Sequence, residues 1–128
     1  MRDQVRERAG CRCEYCHLPD LLPEEIPFHL EHIVARRHGG SNDSFNLAWS
    51  CHRCNERKGT NLSAIDPDTG TVIRLFHPRT DRWDEHFRMD GARVVGLTAT
   101  GRATVWLLEM NTDRRVELRR FFLERNLL

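Results

Sequence analysis

The residues of this 128-residue chain best suited to chemistry are its thiols. Four of its five cysteines form two Cys-x-x-Cys pairs, Cys13-Glu14-Tyr15-Cys16 and Cys51-His52-Arg53-Cys54, and Cys11 is left over. The first pair runs directly into His17, so CEYCH taken alone spells the attachment signature of a c-type haem. A haem also needs an axial partner, export and an oxidising assembly compartment, and nothing else in the sequence speaks for these. Two pairs instead offer four thiolates to one tetrahedral zinc, each sulfur about 2.3 Å from the ion. Closing the long loop between the pairs through a metal adds stability that a small core does not supply. Cys13, Cys16, Cys51 and Cys54 are the expected structural zinc ligands and Cys11 is spare. Pairing Cys11 with Cys16 also falls within the permitted spacing, and four buried cysteines without a metal are the plain alternative.

The elements that must position these thiols can be read from pattern. Residues 2–9 form a short helix stopped at Gly10. Pro19, Pro23 and Pro27 make a loop, after which FHLEHIV has the alternation of a strand. RRHGGSNDS is a second loop. Asn46 to Ser50 reads as a further strand, and Ser50 is placed to cap a helix from Cys51 to Lys58 that ends at Gly59. The result is a compact ββα unit between and around the cysteine pairs. Beyond it, DPDTG is turn chemistry feeding a strand, TVIRLF, and Asp90-Gly91 between HFRM and ARVVGL marks a hairpin. ATVWLLEM and RRVELRRFFLERN supply two closing helices, the second capped at Asn111-Thr112. The fold class is α+β: a core over residues 1–62, and an extension over 63–128 made of a hairpin and two helices packed on it as one domain. Trp83, Phe87, Trp106, Phe121 and Phe122 are expected to form the supplementary core of that extension.

Inside the zinc frame lie Glu31-His32 at the end of the first strand, Asn46 at the opening of the second, and Asn55 and Lys58 on the helix. Taken singly, Glu-His on a strand is an ordinary solvated pair and Asn55 an ordinary turn cap. In order, as CEYC, EHI and NLAWSCHRCNERKG, they resemble the zinc-braced HNH endonuclease family over residues 13–59. That resemblance implies phosphodiester hydrolysis in DNA, leaving 5′-phosphate and 3′-hydroxyl ends. It places the general base at His32, an imidazole suited to taking a proton near neutrality. It gives Glu31 and Asn55 as ligands of a catalytic divalent ion, Mg²⁺ or Mn²⁺, beside the structural Zn²⁺. Asn46 would pin the loop that aims His32. Lys58, three residues after Asn55, would share its helical face and contact a phosphate, as would Arg36 and Arg37 in the intervening loop. His29, on the strand face of Glu31, is an optional ligand or simply exposed; His52, His77 and His86 have no partner pattern.

The chain departs from the family pattern where Glu31 replaces the usual Asp or His, where Ala35 stands near a common proline, and where Gly59 replaces a further His found in some relatives. Few protein ligands and weak binding of the catalytic ion follow. Regular strand alternation also sends Glu31 and His32 to opposite faces, so either the strand twists or it ends there. A zinc-ribbon module that binds nucleic acid without cutting it is the alternative function.

The bulk composition accommodates all of this. Hydrophobic residues at 39% and charged residues at 30% suit a folded globular chain. The net charge of +1 neither requires nor excludes a polyanion, but Lys58 is the only lysine, so nearly all positive charge is guanidinium, suited to bidentate phosphate contacts. The N-terminus lacks a secretory h-region and no apolar run spans a membrane, so a cytoplasmic location with reduced thiols is expected.

Overall fold

A computed structural model describes residues 1–128 as five helices and three separate two-stranded antiparallel pairs. Helix α1 (Arg2–Arg8) ends two residues before Gly10, which takes φ +72 and lets the chain turn into the first cysteine pair. Strand β1 (Phe28–His32) pairs with β2 (Leu47–Cys51) in the register Phe28↔Cys51 through His32↔Leu47. Helix α2 (His52–Lys58) follows without a break, which gives the expected ββα unit. Asn46 lies in the 3₁₀ turn Ser44–Asn46 before β2, not within the strand, and the N-cap of α2 is Cys51, not Ser50. The Cys51 sulfur accepts from the Cys54 amide at 3.5 Å, so a cysteine of the second knuckle doubles as the helix cap.

The extension begins with β3 (Ser63–Ile65) and β4 (Val72–Arg74), paired around the DPDTG turn. A four-residue helix α3 (Trp83–His86) leads into the hairpin of β5 (Phe87–Asp90) and β6 (Arg93–Gly96), whose two-residue connection starts at Gly91 with φ +58. Helices α4 (Ala99–Leu107) and α5 (Asp113–Glu124) close the chain. The main buried cluster draws on both segments: Val5, Tyr15, Leu18, Trp49, Phe76, Phe87, Val94, Met110 and Phe122 all belong to it.

The expected aromatic core of the extension holds only in part. Phe87 and Phe122 are buried and Trp83 packs on the cluster, but Trp106 is 66% and Phe121 40% exposed. Helix α4 buries Thr100, Gly101, Ala103 and Thr104 instead. A Cβ on Gly101 would stand 2.0 Å from the His86 carbonyl oxygen, so this face packs by close backbone approach and leaves the indole outside.

Candidate active site and metal centre

The two knuckles meet as their spacing requires. The four sulfurs of Cys13, Cys16, Cys51 and Cys54 lie within 4.8 Å of one another and all four residues are buried, while Cys11 stays apart and half-buried. A tetrahedron with 2.3 Å metal–sulfur bonds has edges of about 3.8 Å; the Cys16 and Cys51 sulfurs are 3.8 Å apart. The donor set therefore fits a zinc ion. In each knuckle the second cysteine's amide donates to the first cysteine's sulfur at 3.5 Å. His17 takes no part in the cluster: its ring stacks on Trp83 with centroids 3.7 Å apart, and burial with Arg12 nearby lowers its pKa to about 3.

From this frame β1 carries its last two side chains to opposite sides. The strand stops at His32, with Glu31 buried and His32 half-exposed. His32 is half-exposed, with Nε2 2.8 Å from Asn42 Oδ1. An amide oxygen only accepts, so this bond puts the imidazole proton on Nε2 and leaves the lone pair of the neutral ring at Nδ1. Asn46 secures the loop that presents Asn42. Its Oδ1 accepts from the Val34 amide at 2.9 Å, and its Nδ2 donates to the carbonyls of Val34 at 2.9 Å and Ser41 at 2.8 Å. His38 ties the same loop to the Thr60 carbonyl at 3.0 Å. Arg36 and Arg37 lie in the exposed 3₁₀ turn Arg36–His38 just past β1. His29 is paired to His52, nitrogen to nitrogen at 3.0 Å.

Glu31 faces inward. It is 4% exposed, with Oε2 accepting from the Tyr15 hydroxyl at 2.6 Å and Oε1 2.6 Å from the Lys58 ammonium. Lys58 is 2% exposed and also donates to the Ile33 carbonyl at 2.8 Å. Its contact with Oε1 is by charge without an aligned hydrogen bond, since that oxygen has no hydrogen-bond partner. Burial raises the Glu31 pKa and Lys58 opposes the rise, while burial and the Glu31 charge raise that of Tyr15 and keep it a donor. This closed arrangement differs from both roles the residues were expected to fill. Lys58 is turned away from any phosphate at the surface. Glu31 already has a cation where a divalent ion would sit, so Glu31 and Asn55 as folded do not fit as its ligand pair. Asn55, next to Cys54 on α2, stays half-exposed.

Three participants escaped the sequence reading. Asn42 was visible only as one more polar loop residue, Tyr15 only as a spacer inside a knuckle. Arg115 lies far along the chain, yet its guanidinium reaches the Cys54 sulfur.

A strand hairpin ending in a half-exposed His, followed by a helix that shares a four-cysteine centre, is the ββα arrangement expected from the HNH resemblance. Residues 13–61 match the family described as HNH endonuclease, and this segment is an HNH endonuclease domain. Among curated proteins, the "CRISPR-associated endonuclease Cas9" of Corynebacterium diphtheriae is 38% identical over 87 residues, which cover 64% of this chain and 8% of that protein. The "Septu protein PtuB" of Bacillus thuringiensis is 29% identical over 120 residues, covering 86% of this chain and 41% of that protein. The chain thus spans less than half the length of either relative. No solved structure matches it. No helix is long and apolar enough to cross a membrane.

Proposed function

We propose that this chain is an endonuclease that hydrolyses phosphodiester bonds in DNA, with His32 as general base. The observation that carries the reading is the contact that orients His32: Nε2 lies 2.8 Å from Asn42 Oδ1, which leaves Nδ1 as the nitrogen able to take a proton at the end of β1. In the step, Nδ1 takes a proton from water as that water's oxygen bonds to phosphorus, and the bond to the 3′ oxygen breaks; the departing 3′ oxygen takes its proton from solvent, leaving a 5′-phosphate and a 3′-hydroxyl. Asn46 positions the loop. Arg36 and Arg37 grip neighbouring phosphates, contacts that do not depend on base sequence. Mg²⁺ or Mn²⁺ joins this scheme at Glu31 and Asn55 only if Lys58 is drawn off the carboxylate, so the step is written on the chain's own residues.

The lock of Lys58 on Glu31 also supports a second reading, a zinc-braced module that binds nucleic acid without cutting it. Cleavage of supercoiled plasmid with added Mg²⁺ or Mn²⁺ separates the two, comparing the wild type with His32→Ala at equal zinc content by elemental analysis. The nuclease reading expects nicked or linear product from the wild type and a loss of at least about a hundredfold in the variant. Equal cleavage by both proteins, or none by either with DNA still retarded on gels, puts the binding module in its place.

A further inference from the structure

We propose that Arg115, on the extension outside the HNH match, is a working part of the zinc centre: its guanidinium offsets the charge of the four thiolates and holds the last ligand in place. Four thiolates outweigh one divalent ion, so the centre is net negative, and every cysteine in it is at most 1% exposed. A buried net charge is costly unless an opposite charge or hydrogen-bond donors stand beside it. Arg115 supplies both. It is 4% exposed, and Nη2 donates to the Cys54 sulfur at 2.7 Å and reaches the Cys51 sulfur at 3.5 Å. The other edge of the same fork donates through Nη1 to the carbonyls of Leu108 at 2.6 Å and Glu109 at 2.9 Å, in the turn between α4 and α5. The guanidinium therefore has one orientation, with its donors aimed at the sulfurs.

Helix energetics alone do not account for the position. Arg115 sits in the first turn of α5, where a positive charge opposes the helix dipole and lacks the solvent that would screen it. Its Nε has no partner, a cost consistent with a guanidinium placed for what its two ends reach. Partners that orient and polarise metal ligands are worth about 10–100-fold in metal affinity when removed. Zinc retention then depends on a helix that lies beyond the cysteine frame in sequence, and this holds whether or not the chain cuts DNA.

The test uses the full chain and its zinc. Arg115→Met keeps much of the volume and removes charge and donors; Arg115→Lys keeps the charge and removes the fork. Arg114→Met, a neighbouring exposed arginine, makes the same charge change away from the cluster. Zinc release to 4-(2-pyridylazo)resorcinol and the thiolate-to-metal charge-transfer band of the Co²⁺-substituted protein are read for each. Arg115→Met should release zinc about tenfold faster or more, Arg115→Lys at an intermediate rate, and both should move the Co²⁺ band to lower energy as the sulfurs lose a donor. Arg114→Met should match the wild type. Release by Arg115→Met at the wild-type rate, or an equal acceleration in Arg114→Met, overturns the proposal. If Arg115→Met does not fold, Arg115→Lys decides, and a band and release rate unchanged from the wild type overturn it.

Discussion

Lys58→Met probes the closed pair at the end of β1. The Lys58 and Glu31 side chains are 2% and 3% exposed and meet at 2.6 Å. Removing the ammonium leaves a buried carboxylate with the Tyr15 hydroxyl as its remaining partner, and breaking one side of a buried pair costs about 3–5 kcal/mol. Against a total of roughly 5–15 kcal/mol for a domain, that is a large share. Urea unfolding followed by circular dichroism in zinc-replete buffer measures it at pH 6 and pH 8. The sign of the pH effect follows from Glu31, whose pKa is raised in the fold by burial against the pull of Lys58. Its removal raises that pKa further. A carboxyl raised on folding contributes stability that is complete below its unfolded pKa and is lost as the pH climbs through the folded one. The penalty of Lys58→Met therefore grows as the pH climbs from the carboxyl's unfolded value towards its raised folded one, by no more than about 1.4 kcal/mol per pH unit. The double variant Glu31→Gln with Lys58→Met has no charge to bury, so it should recover most of the loss and show no such growth. A single-variant cost below about 1 kcal/mol, or a double variant as unstable as the single, refutes the buried pair. If Lys58 instead contacts phosphate, its loss leaves stability intact and lowers the salt dependence of DNA binding by about one counterion.

Two further outcomes concern the loop that presents His32. A Cβ on Gly40 would stand 1.7 Å from the Val34 carbonyl oxygen and 2.9 Å from Asn46 Nδ2. Gly40→Ala should therefore cost about 2–3 kcal/mol in urea unfolding and impair cleavage as the loop shifts. Gly39→Ala, which meets nothing within 4 Å but has φ +85, should cost only about 1–2 kcal/mol; equal costs would mean that the contact is relieved in solution. Asn42→Ala should lower kcat for plasmid cleavage by about tenfold with KM unchanged, because the imidazole proton is then free to sit on either nitrogen. Asn42→Asp, which keeps an acceptor, should retain more activity, and an Asn42→Ala enzyme with wild-type kcat removes the tautomer argument.

The parts of the fold legible in the sequence were those with a strong local signal. Cysteine spacing located the metal centre, alternation located β1, and Asp90-Gly91 located the last hairpin. The pair β3 and β4 was half-legible because its strands are three residues each and mostly exposed, with only Ala64 and Ile73 half-buried, too short a pattern to stand out. What secures them is long-range: Asp66 is fully buried and takes both arms of Arg102 at 3.0 and 2.8 Å, thirty-six residues away. Trp106 was misplaced for a related reason. An apolar count treats the largest side chain as the most buried, whereas α4 packs on its small residues, where backbones can touch.

At the candidate site, the decisive geometry was present in periodicity already in use. Helix α2 is oriented by Cys54, which must face the metal, and the side chain one turn further on, at i+4, lies on the same face. That side chain is Lys58, and these two are the buried residues of α2. Zinc ligation thus carries the lysine inward with the cysteine, and Asn55, one step round the helix, outward. The same alternation that puts His32 on the open side of β1 puts Glu31 on the inner side, opposite Ala48 and facing the incoming lysine. A carboxylate and an ammonium brought to the same buried place must pair, since neither charge is tolerable there alone. The metal centre and the closed Glu31–Lys58 pair are consequences of one helix rotation, and His32 stays half-exposed beside them. A variant that turned α2 to free Lys58 for phosphate would withdraw Cys54 from the zinc.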